Sequence, residues 1–295
     1  MRKNPFRNIY DSKKFKDILK HKNIPEFPFI VDIELTNRCN LKCKMCARNI
    51  MTRKTGFMLE ETFDRVLEEC TEYNIPIRFI RWGEPFLHPR ILTFSDKVKD
   101  AGIPLHITTN GLLLKEQHIH HLIDIGLDSI IFSMQGATKR EYNKIRGGKY
   151  QLLSNNIKKL VELRGENDKP FIHITCTVSD YEKNKNIKKF KGYWSNIVDL
   201  VTIGRTNWSR INNSSGEYAN CKEPWQKLSV DWDGKVTCCC GDYDNLLTIG
   251  NINKESLWNI WNYNLMLDGI RALLSNNMNR SLTLCKNCYL AYEGL

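Results

Sequence analysis

From about residue 28 to residue 205, short apolar runs alternate with stretches whose apolar positions recur every three or four residues. Runs at 29–35, 77–81, 105–109, 129–133, 171–178 and 198–203 are rich in β-branched and aromatic residues and predict strands. Between the first two runs, Leu59, Thr62, Phe63, Val66 and Leu67 mark one face of a helix. Gly102 and Gly126 fall where helix C-caps belong, just before the next strand. Alternation of this kind implies a parallel sheet with right-handed crossovers. Six such units predict an α/β fold, a partial (β/α)6 TIM-like barrel. The first predicted strand runs directly into Cys39, Cys43 and Cys46, and catalytic groups of barrel folds sit at that end of the strands.

After about residue 206 the pattern changes. Residues 207–218 are polar and loop-like, and 228–236 read as a small hairpin turning at Asp233-Gly234. Residues 256–274 read as a helix or a helix pair, and Cys285 and Cys288 lie near the chain end. The expected organisation is an N-terminal extension at 1–26, a core barrel at 27–205, and a small cysteine-anchored domain at 206–295.

Charge and composition narrow the function classes. A net charge of +11 raises a nucleic-acid partner. The basic runs at 13–22 and 183–191 look like helix faces and tails, however, and no nucleic-acid module is recognisable. No stretch approaches the roughly 20 apolar residues of a membrane span. Met1 to Lys22 has no apolar core after its charges, so no secretory signal is expected and the cytoplasm is the expected location. In that compartment clustered cysteines bind metal or do redox chemistry. Of the 11 cysteines, Cys70 and Cys176 stand apart and read as core residues.

Cys39, Cys43 and Cys46 give three thiols in eight residues. Thiolates are the ligands of iron–sulfur clusters. A four-iron cubane with three cysteines keeps one iron open to a second molecule. A structural zinc site takes four protein ligands, commonly as two close pairs, and fits the uneven C-x3-C-x2-C spacing poorly. That spacing, on a loop after the first strand, resembles the signature of the radical S-adenosylmethionine (SAM) superfamily. Arg81-Trp82-Gly83-Glu84-Pro85 resembles the family's Gly-Gly-Glu-Pro segment, with Trp82 in place of the first glycine. Thr109-Asn110-Gly111 resembles its Thr-Asn-Gly. Ser133-Met134-Gln135-Gly136 followed by Ile145-Arg146-Gly147 resembles its Ser-x-Asp-Gly and Ile-Arg-Gly block. The resemblance implies a SAM-binding [4Fe–4S] cluster on the three cysteines. It also implies SAM contacts from Met45, Trp82, Gly83, Glu84, Asn110, Ser133, Arg146 and Val178.

Cys221, Cys239, Cys285 and Cys288, with the motifs around them, resemble the auxiliary-cluster domains called SPASM and twitch. The resemblance implies a second [4Fe–4S] cluster with every iron ligated, able to take an electron but not to bind substrate. Four thiols with one C-x2-C pair also suit zinc, and Cys238-Cys239-Cys240 leaves the register open. The frame is similar to that of the superfamily's aminocyclitol dehydrogenases. That similarity implies an oxidoreductase in which an adenosyl radical takes hydrogen from a secondary alcohol carbon and the second cluster takes the remaining electron. Expected partners are a sugar or cyclitol, free or nucleotide-linked, and a flavodoxin or ferredoxin reductant, with neither nucleic acid nor membrane. Arg205, Asn207 and Trp208 are candidate substrate contacts. Alternatives are peptide modification, epimerisation or dehydration with Cys176 or Cys240 as hydrogen donor, and a zinc-stabilised binding module. Only about 28 residues precede the first strand, short of the ordinary domain size a peptide-recognition module would need, which counts against the first.

Overall fold

The computed structural model describes residues 2–179, 181–206, 221–286 and 288. Nine strands form one sheet in the order β6-β5-β4-β3-β2-β1-β7-β8-β9. The first six are β1 (Ile30–Ile33), β2 (Ile77–Phe79), β3 (Leu105–Thr109), β4 (Ser129–Gln135), β5 (Phe171–Val178) and β6 (Leu200–Arg205), all parallel. They make an open partial barrel, because β1 and β6 do not pair. The predicted second strand stops two residues early because Arg81 turns the chain with a φ of 133°. The sixth begins two residues later than expected, since Val198 N–H still bonds to Trp194 O at the end of a helix.

Register sorts the side chains. Val31, Ile77 and Leu105 are cross-strand neighbours, as are Ile107, Ile130 and Ile172. This apolar face packs with the crossover helices. On it Phe79 meets Phe63 of α3 (Glu60–Glu72), which stacks on Phe94 of α4 (Ile91–Asp100) at 4.1 Å. Each such buried ring contributes about 1.5–3 kcal/mol. Gly102 and Gly126 take positive φ at their helix ends, as expected. Cys70 and Cys176 are fully buried core residues, also as expected.

The other face, the lumen, is polar. Asp32, Arg78, His106 and Ser129 are neighbours across it. Two helices of the N-terminal segment fill its lower end. These are α1 (Pro5–Asp11), capped by Asn4, and α2 (Lys13–His21), capped by Ser12. Phe6 packs edge-on against His106, and Tyr10 Oη accepts from Arg78 Nη1 at 2.8 Å. Burial pushes His106 down to about 3 and His173 down to about 4, so both stay neutral. The segment read as an extension is thus part of the barrel's packing.

The hairpin expected at 228–236 is present as β7 (Lys227–Val230) and β8 (Lys235–Thr237), followed by β9 (Thr248–Asn251). It does not stand apart. β7 pairs in parallel with β1, so the barrel sheet continues through the expected boundary. The helix pair is α9 (Leu257–Asn262) and α10 (Leu265–Ser275). Glu69 of α3 accepts from Leu257 N at 2.8 Å and Trp258 N at 2.9 Å, capping α9 from the barrel. Phe27, Tyr73 and Trp258 stack beside this cap. No described helix is long and apolar enough to cross a membrane. Glu69→Ala should cost about 1–2 kcal/mol in denaturant unfolding, because it strips a charged cap from two N–H donors. Asp11→Ala, at an exposed ion pair, should leave the unfolding midpoint unchanged.

Candidate active site

The chain leaves β1 at Glu34 and enters a loop that is fastened before its cysteines. Thr36 Oγ1 donates to Gly56 O at 2.5 Å, and Asn37 bonds to Lys54 O and Gly56 N at 2.8 and 3.0 Å. Inside the loop Asn49 Nδ2 donates to Cys43 O and Arg48 Nη2 to Leu41 O, both at 2.8 Å. Lys44 N bonds to Ile145 O at 3.0 Å, which ties the loop to the end of α6 (Lys139–Arg146). Cys43 is buried, while Cys39, Met45 and Cys46 are half-buried. Burial raises the proton affinity of Cys39 and Cys43, and a neighbouring thiol raises each further. A crowded, desolvated set of thiols becomes a set of thiolates only with a cationic partner, which an iron core supplies. Among the described residues, no three His, Cys, Asp or Glu side chains converge closely enough to hold one metal ion.

The Trp82-Gly83-Glu84 loop lies against this one, backbone to backbone. A Cβ on Gly83 would fall 1.8 Å from Thr36 O and 2.8 Å from Arg38 O, so only glycine fits. Glu84 N bonds to Arg38 O at 2.8 Å. The Glu84 carboxylate is fully buried and accepts from Thr109 Oγ1 at 2.6 Å, Asn110 N at 2.7 Å and Phe86 N at 3.2 Å. It therefore braces the loop against the end of β3. Asn110 Nδ2 donates to Asn40 Oδ1 at 2.8 Å and lies 3.8 Å from Cys39 Sγ.

Ser133 is half-buried, on the same side of β4 as Gln135. Arg146 is buried and donates through Nε to Gln135 Oε1. It forms no ion pair among the described residues. A buried guanidinium whose side-chain hydrogen bond goes to a neutral amide, with the Glu84 carboxylate near enough to feel its charge, keeps donors for an anionic ligand, and its fork suits a carboxylate. Val178 is buried at the end of β5 and pairs in register with Arg205. Arg205 is exposed and ion-paired with Glu182. With Thr175, Thr177, Tyr181 and Thr202 it lines a cavity of about 470 Å³. Asn207 and Trp208 lie outside the described residues.

The second cysteine group gathers from three segments. Cys221 is influenced by Cys240 and Cys288, Cys239 by Cys240, Cys238 and Cys221, and Cys285 by Cys288. Burial raises the proton affinity of Cys221, with the Glu223 carboxylate and then Cys240 and Cys288 adding to it; burial and neighbouring thiols raise that of Cys239 and push Cys285 up to about 11. Gly241 N donates to Cys239 Sγ at 3.3 Å. Cys238 is buried in the core, whereas Cys239 and Cys240 are half-buried.

Sequence reasoning missed the charges that join the two groups. Arg53 grips Glu34 through both nitrogens at 2.6 and 2.7 Å and lies 3.5 Å from Asp231. Arg81 reaches Asp231 Oδ1 at 3.2 Å, Cys239 O at 3.1 Å and Asp242 O at 3.1 Å. All four side chains are at most 7% exposed, so this is an interior network. Trp82 joins it: its N–H bonds to Glu34 and its indole to Asp242 O, both at 3.3 Å. Arg81 and Asp231 stood inside recognised motifs, but the motif gave them no partner.

Residues 33–190 match the model of the radical SAM superfamily, and residues 221–289 match that of an iron–sulfur cluster-binding domain, SPASM. The chain is 27% identical over 284 residues to the tungsten-containing aldehyde ferredoxin oxidoreductase cofactor-modifying protein of Pyrococcus furiosus, covering 78% of this chain and 79% of that one. It is 24% identical over 266 residues to the SAM-dependent 2-deoxy-scyllo-inosamine dehydrogenase of Niallia circulans, covering 88% and 92%. The crystal structure of BtrN in complex with AdoMet and 2-DOIA superposes with a TM-score of 0.63 at 20% identity, over 89% of this chain and 93% of that one. That of Streptococcus suis SuiB bound to SAM gives 0.65 at 17%, over 98% and 78%. The structural likenesses speak to the fold alone. Sequence match and fold agree that the chain belongs to the radical SAM superfamily, as an enzyme that uses SAM and a [4Fe–4S] cluster and carries a C-terminal SPASM iron–sulfur domain.

Proposed function

We propose that the enzyme oxidises a secondary alcohol carbon of a sugar or cyclitol to a ketone. The observation that carries this reading is the link between the two cysteine groups: Arg81, two residues before the glycine packed on the first cysteine loop, donates to the Cys239 carbonyl. An electron acceptor beside a hydrogen-abstracting site favours net two-electron oxidation over a redox-neutral rearrangement. Similarity along most of the chain to the Niallia circulans dehydrogenase supports the same class.

In this reading Cys39, Cys43 and Cys46 hold the SAM-binding cluster, and Cys221, Cys239, Cys285 and Cys288 hold the second. When bound, these groups supply a radical that removes a hydrogen atom from the C–H and an acceptor for one electron, while the hydroxyl proton leaves to solvent or a base. The chain's residues provide the binding and the exclusion. Arg146 takes the SAM carboxylate through its fork, with Ser133 and Asn110 beside it. Glu84 keeps the Gly83 backbone pressed to the cysteine loop, and Met45, Trp82 and Val178 supply apolar walls. Arg205 is the proposed substrate contact at the cavity edge, released from Glu182 when substrate enters. A flavodoxin or ferredoxin is the proposed reductant. Besides the buried Arg53, residues 38–54 carry five basic side chains and no carboxylate, which suits an acidic donor.

Four outcomes test this. Anaerobically purified protein should hold about eight irons per chain, on two cubanes. With SAM and reductant it should convert a cyclitol or sugar alcohol to a ketone, with one deoxyadenosine released per ketone and substrate deuterium appearing in it. Cys221→Ala/Cys285→Ala should still release deoxyadenosine slowly but make no ketone, and ketone formed at the full rate would overturn the acceptor role. Arg146→Ala should weaken SAM binding about ten- to a hundredfold in equilibrium dialysis, the worth of a charge-assisted hydrogen bond.

A further inference from the structure

Arg81 stands where the two halves of the site meet. Its backbone adopts a φ of 133°, a region that residues with a β-carbon enter only under strain. Strain of that kind persists where surrounding contacts over-determine the conformation, and here the contacts are evident. The side chain is 3% exposed. It makes polar contacts with the Asp231 carboxylate, the Cys239 carbonyl and the Asp242 carbonyl, all beyond the barrel strands in sequence. Two residues further on, Gly83 packs on Thr36 O of the first cysteine loop. One short segment therefore touches both cysteine groups.

The buried quartet Glu34, Arg53, Asp231 and Arg81 pairs two guanidinium groups with two carboxyls, burial raising Asp231 to about 7 against the pull of Arg81, and it is not symmetric about the second cysteine group. Arg53 binds both Glu34 oxygens, whereas Arg81 is the member that reaches Cys239. The member of the quartet that bonds at the cysteines is thus a cation, set against the buried Asp242 carboxylate that accepts from Leu246 N and Leu247 N, and burial leaves both weakly screened. Positive charge and hydrogen bonds around an iron–sulfur cluster favour its reduced form and raise its potential.

We propose that Arg81 is a positioning residue that raises the reduction potential of the auxiliary cluster while fixing that cluster's ligand backbone to the SAM-holding loop. This rests on Cys239 and its neighbours being the auxiliary ligands, as set out under the function. Arg81 touches neither substrate nor reacting atoms; it acts through the Cys239 carbonyl.

The test is an EPR-monitored potentiometric titration of the full chain. A Cys39→Ala/Cys43→Ala/Cys46→Ala background isolates the auxiliary signal. Arg81→Gln should lower the cluster's electron affinity about tenfold, a fall of about 59 mV for a one-electron couple. Asp231→Asn breaks the same ion pair but leaves Arg81 charged and uncompensated, so its midpoint should rise. A merely structural role would move both variants the same way. An unchanged midpoint in Arg81→Gln with its iron retained overturns the proposal. If Arg81→Gln loses iron, Asp231→Asn decides alone, and a midpoint there that falls or stays put also overturns it. Failure of the functional reading looks different. A lowered midpoint in Arg81→Gln together with full-rate ketone formation in Cys221→Ala/Cys285→Ala, measured with Cys39, Cys43 and Cys46 intact, would sink the acceptor role and leave the tuning in place. A Cys239→Ala variant that keeps the auxiliary signal would sink the ligand assignment.

Discussion

Parallel pairing of β1 with β7 is the constraint on which the site depends. Four residue pairs, Ile30 with Lys227 through Ile33 with Val230, are in register. Hydrogen bonds from Phe29 N to Gln226 O and from Glu34 N to Val230 O extend the ladder at both ends. Strands paired this way lie about 4.8 Å apart, and they point the same way. β1 delivers the chain to Cys39, and β7 delivers it to Asp231 and, through the hairpin, to Cys239. The antiparallel β8 runs back toward the start of β7, where Cys221 also lies, so the two cysteine groups are fixed to one sheet, one beyond each end of the β1–β7 ladder, which an isolated second domain would not ensure.

Charges inside this sheet do the aligning. Below the site, Arg78 and Lys227 hold the Asp32 carboxyl down to about 2 against the opposing effect of burial. Above it, Arg53 and Arg81 hold Glu34 and Asp231. Buried ion pairs contribute little net stability, because desolvation offsets their attraction, but breaking one leaves an uncompensated charge. Here Asp32–Lys227, Arg53–Asp231 and Arg81–Asp231 tie β1, its loop and the end of β2 to β7 and the residue after it, so a misregistered β7 would strand charges in the interior. The hydrophobic face tolerates many registers; the lumen does not.

Much of the barrel was legible because its signals are local. β3 and β5 match the apolar runs residue for residue, and Gly102 and Gly126 end their helices. The three-cysteine spacing and the motifs behind it led to the superfamily, since a loop's chemistry is written in consecutive residues. What the chain did not disclose depends on partners far away in sequence. Nothing in 227–230 announces a parallel partner at 30–33. Phe6 and Tyr10 gave no sign that they meet His106 and Arg78 in the lumen. Glu84 was read as a contact to SAM, whereas its oxygens accept from Thr109, Asn110 and Phe86. Arg205 was legible as a residue at a strand end but not as the partner of Glu182.

The central claim is that one sheet anchors two clusters with different jobs, one with a vacant iron and one fully ligated. It is tested most directly by EPR of the reduced holoprotein with and without SAM. The account predicts that SAM changes the g-values of one cluster signal and leaves the other as it was. Two signals that both respond to SAM, or neither, would contradict it.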